Sequence, residues 1–104
     1  MASDLDQEIV KSTLDRILQQ REHPKTICPS EVARGLPSEE MRKLNDGWRD
    51  AMPLVREILF EMKDNAEVEI LQKGQVLPME TRLEDIRGPI RARLVLQNGS
   101  AAIQ

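Results

Sequence analysis

The sequence predicts an α+β fold that is mostly α: a winged helix-turn-helix with three main helices and a two- to three-stranded antiparallel wing sheet. Three observations carry this. An apolar stripe through Trp48, Met52, Val55, Leu59 and Met62 advances by four, three, four and three residues, the spacing of one helix face. A shorter helical segment beginning at Pro29 precedes it, and Gly35 and Pro37 break the chain between them. Two alternating segments, Glu67–Leu71 and Ile90–Leu96, follow the stripe and are separated by a polar tip.

At 104 residues the chain suits one modest core. The expected division is a winged-helix domain over 1–96 and a flexible tail over 97–104, where the sequence turns small and polar. Trp48 and Phe60 are the only aromatic residues, so the core must rest on Leu, Ile, Val and Met. No apolar run approaches the roughly 20 residues of a membrane span, and the acidic N-terminal residues do not resemble a secretory signal. Cys28 is the single thiol and excludes an internal disulfide, which fits a reducing cytoplasm. Net charge is −3, a poor match to a nucleic-acid binder, but it is unevenly distributed. Residues 1–72 carry −5 and residues 73–104 carry +2, so the basic excess falls on the expected wing.

The first helix is expected over Ser3–Gln20. Ser3-Asp4-Leu5-Asp6 has capping-box spacing, and Ile9, Val10, Thr13, Leu14, Ile17 and Leu18 share a face. Pro24 ends it. Lys25–Cys28 is β-branched at Thr26 and Ile27 and reads as a short edge strand. Pro29 then occupies a helix first turn, where its missing N–H costs nothing, and the helix runs to Leu36. Ser38–Lys43 adds a short helical turn, and Asn45-Asp46-Gly47 marks a bend. The long helix runs to Asp64 from either Gly47 or Asp50. An N-cap at Asp50 leaves Pro53 in the first turn, whereas an earlier start makes Pro53 bend the helix. The first wing strand, Glu67–Leu71, leads into a long tip that begins at Lys73-Gly74 and extends through Asp85. The last strand is Ile90–Leu96.

At about 100° per residue, Arg49, Pro53, Arg56, Phe60 and Lys63 lie in one arc beside the apolar stripe, and Asp50, Glu57 and Glu61 form a neighbouring acidic line. A recognition helix presents long donors near its N-terminus, and arginine suits guanine edges and phosphate oxygens. Arg49 and Arg56 are therefore candidates for direct contact, with Lys63 further along the arc. Arg87, Arg91 and Arg93 form a second candidate surface on the wing, together with Arg82; phosphate contacts from such a strand fix register rather than sequence. The competing reading of both sets is an ordinary solvated face and a charge-protected edge strand. Trp48 opens the apolar stripe and is expected in the core. Leu54, Phe60 and the methionines are candidates for an apolar contact patch.

No enzyme is expected. One His and one Cys fall short of the three or four ligands of a zinc site, and no nucleophile–base pattern or phosphate loop stands out. No cofactor is implied. Cys28, between a strand and a helix start, reads as a small buried residue more readily than as a reactive thiol.

Several ordered blocks resemble the signature of a small bacterial domain family of unknown function. They are Ile27-Cys28-Pro29-Ser30-Glu31-Val32-Ala33-Arg34, Trp48-Arg49 with Met52-Pro53 and Val55-Arg56, Gln72-Lys73-Gly74, and Arg87-Gly88-Pro89-Ile90-Arg91. The resemblance spans roughly Ile9 to Leu94 and implies a winged-helix fold with no established activity. The expected function is double-stranded DNA binding in the cytoplasm, of a regulatory kind, with the long helix in the major groove and the wing on the backbone. The alternative is a winged-helix module that binds a protein partner, or a second copy of itself, without DNA.

Overall fold

Asp6 starts the first helix. Its carboxylate accepts the Glu8 N–H at 2.9 Å, and α1 runs from Gln7–Gln20 with Val10, Thr13, Leu14 and Leu18 buried. The buried Thr13 hydroxyl donates to the Ile9 carbonyl, so it costs the core no unpaired donor. The structure, a computed structural model, describes residues 5–95. Ser3 and Asp4 of the expected capping box, and the expected tail over 97–104, lie outside those residues. The carboxylate that caps α1 is Asp6, followed by a helix that begins later than expected.

After α1, Ile27 makes a single antiparallel bridge to Ala92, so the expected strand at Lys25–Cys28 contracts to one residue pair. α2 spans Pro29–Arg34. Pro29 fills its first turn, and the Glu31 carboxylate reaches back to the Cys28 N–H at 3.0 Å. Gly35 stops it at a tight position: an added β-carbon would stand 3.2 Å from the Glu31 carbonyl oxygen, which would have to give by a few tenths of an ångström, and 3.4 Å from Cδ1 of Ile17 on α1. α3 is one turn, Ser38–Met41. Its Glu40, 3 % exposed, accepts the Asp6 N–H and so ties α3 to the start of α1.

The long helix has two parts. A 3-10 turn over Gly47–Ala51 precedes α4, Met52–Asp64. Asp50 does not cap α4. Its carboxylate points backwards and accepts the N–H groups of Asn45 and Asp46 at 3.0 and 2.8 Å, closing the bend before Gly47. Pro53 falls in the first turn of α4, as required. Val55, Leu59 and Met62 of the predicted stripe are buried; Met52 and Trp48 are half-buried at its upper end.

β1 (Val68–Gln72) is the central strand. It pairs antiparallel with β2 (Gln75–Val76) on one side and β3 (Arg91–Leu94) on the other. Lys73 and Gly74 both take positive φ, 55° and 79°, the two-residue turn that matches strand twist. β2 is an addition to the expected strands; the tip is a tight hairpin followed by a long return over residues 77–90, with a 3-10 turn at Leu83–Asp85. Val68, Ile70, Ile90 and Ala92 face the helices and are buried, which turns Glu69, Leu71, Arg91 and Arg93 to the opposite face. The result is an α+β fold, mostly helical, with a three-stranded antiparallel sheet in an order compatible with a winged helix.

Candidate nucleic-acid interface

Apart from Arg82, which is exposed on the wing return and paired with Glu84 at 3.8 Å, the basic residues singled out in the sequence fall in three places. Arg49 stands exposed at the entrance to α4, its guanidinium carbon 4.7 Å from the centre of the Trp48 ring. Arg34, the last residue of α2, lies against the same ring at 4.6 Å. One indole thus holds two guanidinium groups, and among the described residues neither has a carboxylate partner. Stacking on the ring leaves the N–H edges of a guanidinium available for oxygen acceptors. Trp48 is therefore part core and part platform rather than the core anchor expected.

The middle of the arc is covered. Residues 77–90 fold back over α4, placing Leu83 and Ile86 against the core. Arg56 is half-buried, and both its terminal nitrogens donate to the Gly88 carbonyl at 3.3 Å. Phe60 is 5 % exposed. Lys63, expected on the groove-facing arc, is instead 2 % exposed; its ammonium donates to the Met79 carbonyl at 2.5 Å and to the Asp64 carboxylate at 3.1 Å. It is removed from any outward surface and serves as a donor to the backbone of the wing return. The apolar patch expected at Leu54 and Phe60 is likewise buried.

The third place is the sheet face turned away from the helices. Arg93 pairs with Glu69 across the β1–β3 ladder at 2.7 Å, which neutralises it. Arg91 donates to the Thr26 hydroxyl at 2.5 Å and to the Thr26 carbonyl at 3.2 Å. Both arginines lie on the sheet face opposite the buried Ile90 and Ala92, as expected of the second, wing surface, but each already has a partner within the fold. Arg87 is exposed beside Gly88, to which Arg56 is fastened, and borders the same side of the sheet as Arg91 and Arg93.

Blocks distant in the chain meet here in pairs. Arg34 reaches Trp48, Arg56 reaches Gly88, the Gln72 amide donates to the Arg87 carbonyl at 2.7 Å, and Arg91 reaches Thr26. Over residues 7–95 the chain matches the family described as "Protein of unknown function (DUF3253)". The chain belongs to this family. No curated protein matches it. The four contacts show how this DUF3253 chain fixes its own layout: α2 to the entrance of α4, α4 to the wing return, the hairpin to that return, and the bridging residue pair to β3.

Two carboxylates tie helix starts to neighbouring segments. Burial pushes the Glu31 carboxyl up, but the Cys28 N–H, the Arg21 guanidinium at 2.6 Å and the nearby Arg91 charge outweigh it and hold the group below the usual carboxylate range. The Asp6 N–H, against the cost of burial and with help from Lys43, does the same for Glu40. The flank of α4 left open by the wing return carries Glu57, Glu61 and Asp64 and faces the paired Arg82 and Glu84 across a groove. Among the described residues no three His, Cys, Asp or Glu side chains are grouped to hold a metal ion, and no helix is long and apolar enough to cross a membrane.

Sequence reasoning does not find Arg34. It closes an amphipathic segment before a glycine, where a basic residue reads as a favourable partner for the helix dipole, and no spacing links it to Trp48. Thr26 and Gln72 escape it for the same reason: each acts only through a contact made across the fold.

Proposed function

We propose that this DUF3253 chain is a DNA-binding winged-helix protein of a regulatory kind that meets a duplex with the entrance of α4. The observation that carries this is the pair of guanidinium groups without carboxylate partners, Arg34 and Arg49, held on one indole at the helix start. That end of a recognition helix is the one that enters a major groove, and two arginines there serve phosphate oxygens or a guanine edge. Arg87, on the wing return, supplies a backbone contact. The acidic flank at Glu57, Glu61 and Asp64 repels phosphate and confines the contact to the entrance. The reading therefore differs from a helix laid along the groove for its whole length.

The test is fluorescence anisotropy with a labelled duplex of about 20 base pairs at about 50 and 200 mM salt. Arg34→Ala and Arg49→Ala are each expected to weaken binding about three- to tenfold and to lower the salt slope by about 0.9. Arg93→Ala is expected to bind like the parent. A parent chain that shows no salt-dependent retention, or entrance variants indistinguishable from it, overturns the reading.

A second reading, a protein-interaction module, draws on a different observation. Val76 and Met79, at 47 % and 54 % exposed, put two large apolar side chains on the hairpin and its return. Co-purification of a partner through Met79, without salt-sensitive retention of DNA, would favour it.

A further inference from the structure

The sheet face turned away from the helices is hollow. A cleft of about 650 Å³ opens between the Lys73-Gly74 turn, the Arg87–Pro89 segment and the chain around Thr26, within the range of small-molecule sites. Leu71, Pro24 and Pro89 form its apolar walls, and Lys73, Arg87 and Arg91 stand around it. None of the residues lining it is acidic. Arg93 also borders the cleft, but Glu69 already neutralises it.

Arg91 is set in one orientation. Thr26 occupies Nε and one Nη2 hydrogen, which leaves the far edge of the guanidinium with parallel donors from Nη1 and Nη2. That edge is a fork for a planar two-oxygen acceptor. Lys73 and Arg87 are exposed, and among the described residues their side chains have no carboxylate partner.

We propose that this cleft binds a small organic carboxylate with an apolar body, its carboxylate on Arg91 and its chain or ring on Leu71, Pro24 and Pro89. The apolar walls select against an inorganic anion, and the cations around the cleft select against a neutral molecule of the same shape. Cys28, the only thiol of the chain, lines the same cleft and reports on its occupancy. The site does not rest on the DNA reading, and its test contains no nucleic acid.

The experiment follows the rate at which a chromogenic disulfide reagent modifies Cys28 in the full chain, with octanoate, octanol and inorganic phosphate as probes. Octanoate at about four times its dissociation constant is expected to slow the reaction roughly fivefold, in proportion to the unoccupied fraction. Octanol and phosphate at the same concentration are expected to leave the rate within experimental scatter. Arg91→Gln is expected to abolish protection, and Arg87→Gln to weaken it. Amide shifts of the parent chain give a second readout that needs no variant: octanoate is expected to move Thr26, Leu71 and Arg91 and to leave Trp48 in place. Octanoate that neither slows modification nor moves those amides overturns the proposal. So does equal protection by octanol, which removes the role of the cations, or by phosphate, which removes that of the walls.

Discussion

The two ends of the long helical segment are indistinguishable on a helical wheel and differ in the fold. Arg49 at one end is exposed on an indole; Lys63 at the other is 2 % exposed and bonded to the backbone of the wing return. Both lie in the same arc beside the same apolar stripe. What separates them is a later segment of the chain, which folds over α4 from Met79 to Gly88 and takes Lys63 and Arg56 as its donors. A periodic pattern identifies a face. It does not say what covers the face, because the cover comes from elsewhere in the chain.

The largest effect should come from the covered end. Lys63→Ala removes the ammonium that satisfies the Met79 carbonyl and opens space beside Phe60, whose ring lies 5.6 Å from it. We expect a loss of about 2–4 kcal/mol by urea denaturation. Duplex affinity of the folded variant should be unchanged. Preserved stability together with weakened duplex binding would reverse the comparison and return Lys63 to the interface.

A smaller effect should grade along the open flank. Glu57→Lys exchanges repulsion for attraction about two helical turns from Arg49, and Glu61→Lys does so about one turn further away. We expect Glu57→Lys to tighten duplex binding about threefold and Glu61→Lys to do less, since screened interactions decay over about 10 Å at ordinary salt. Equal gains from both, measured by anisotropy at one salt concentration, would put the duplex along the whole helix and remove the distinction between its ends.

Much of this fold is legible in local pattern. The α1 face, Pro29 in the first turn of α2 and the Val55-to-Met62 ridge each follow from spacing and backbone preference within a few residues, while α2 stops at Gly35, short of the expected Leu36. The β2 hairpin is instructive as a near miss. Lys73-Gly74 is a turn signal, but the mixed sequence after it lacks the alternation that marks a strand, and only two residues pair. Of the site, Arg49 is legible because its surroundings are local. Arg34 on Trp48, Thr26 under Arg91 and Met79 over Lys63 are not, because each joins segments that no periodicity connects. Asp50 illustrates a subtler failure: an acidic residue before a helix has two backbone directions to serve, and here it serves the bend behind it.

The smallest effect separates the ends of the helix by pH. Glu31 caps the start of α2, whose last residue is Arg34, and its carboxyl is held below the usual range by the Cys28 N–H and Arg21 against the cost of burial. A carboxyl whose pKa is depressed on folding stabilises the fold above its unfolded value of about 4.3, and that contribution is lost as pH falls through the lower folded value. The Glu31 side chain is 34 % exposed, so solvent screens the pair and limits its worth to under about 1 kcal/mol. Glu31→Gln should therefore be slightly less stable than the parent near neutral pH, with the difference fading in acid. Because α2 positions Arg34 against Trp48, the same substitution should loosen the entrance and weaken duplex binding slightly, while the Lys63–Met79 bond is untouched. A stability difference that persists undiminished well below about pH 4 would mean that the substituted amide misplaces the cap by shape rather than by charge.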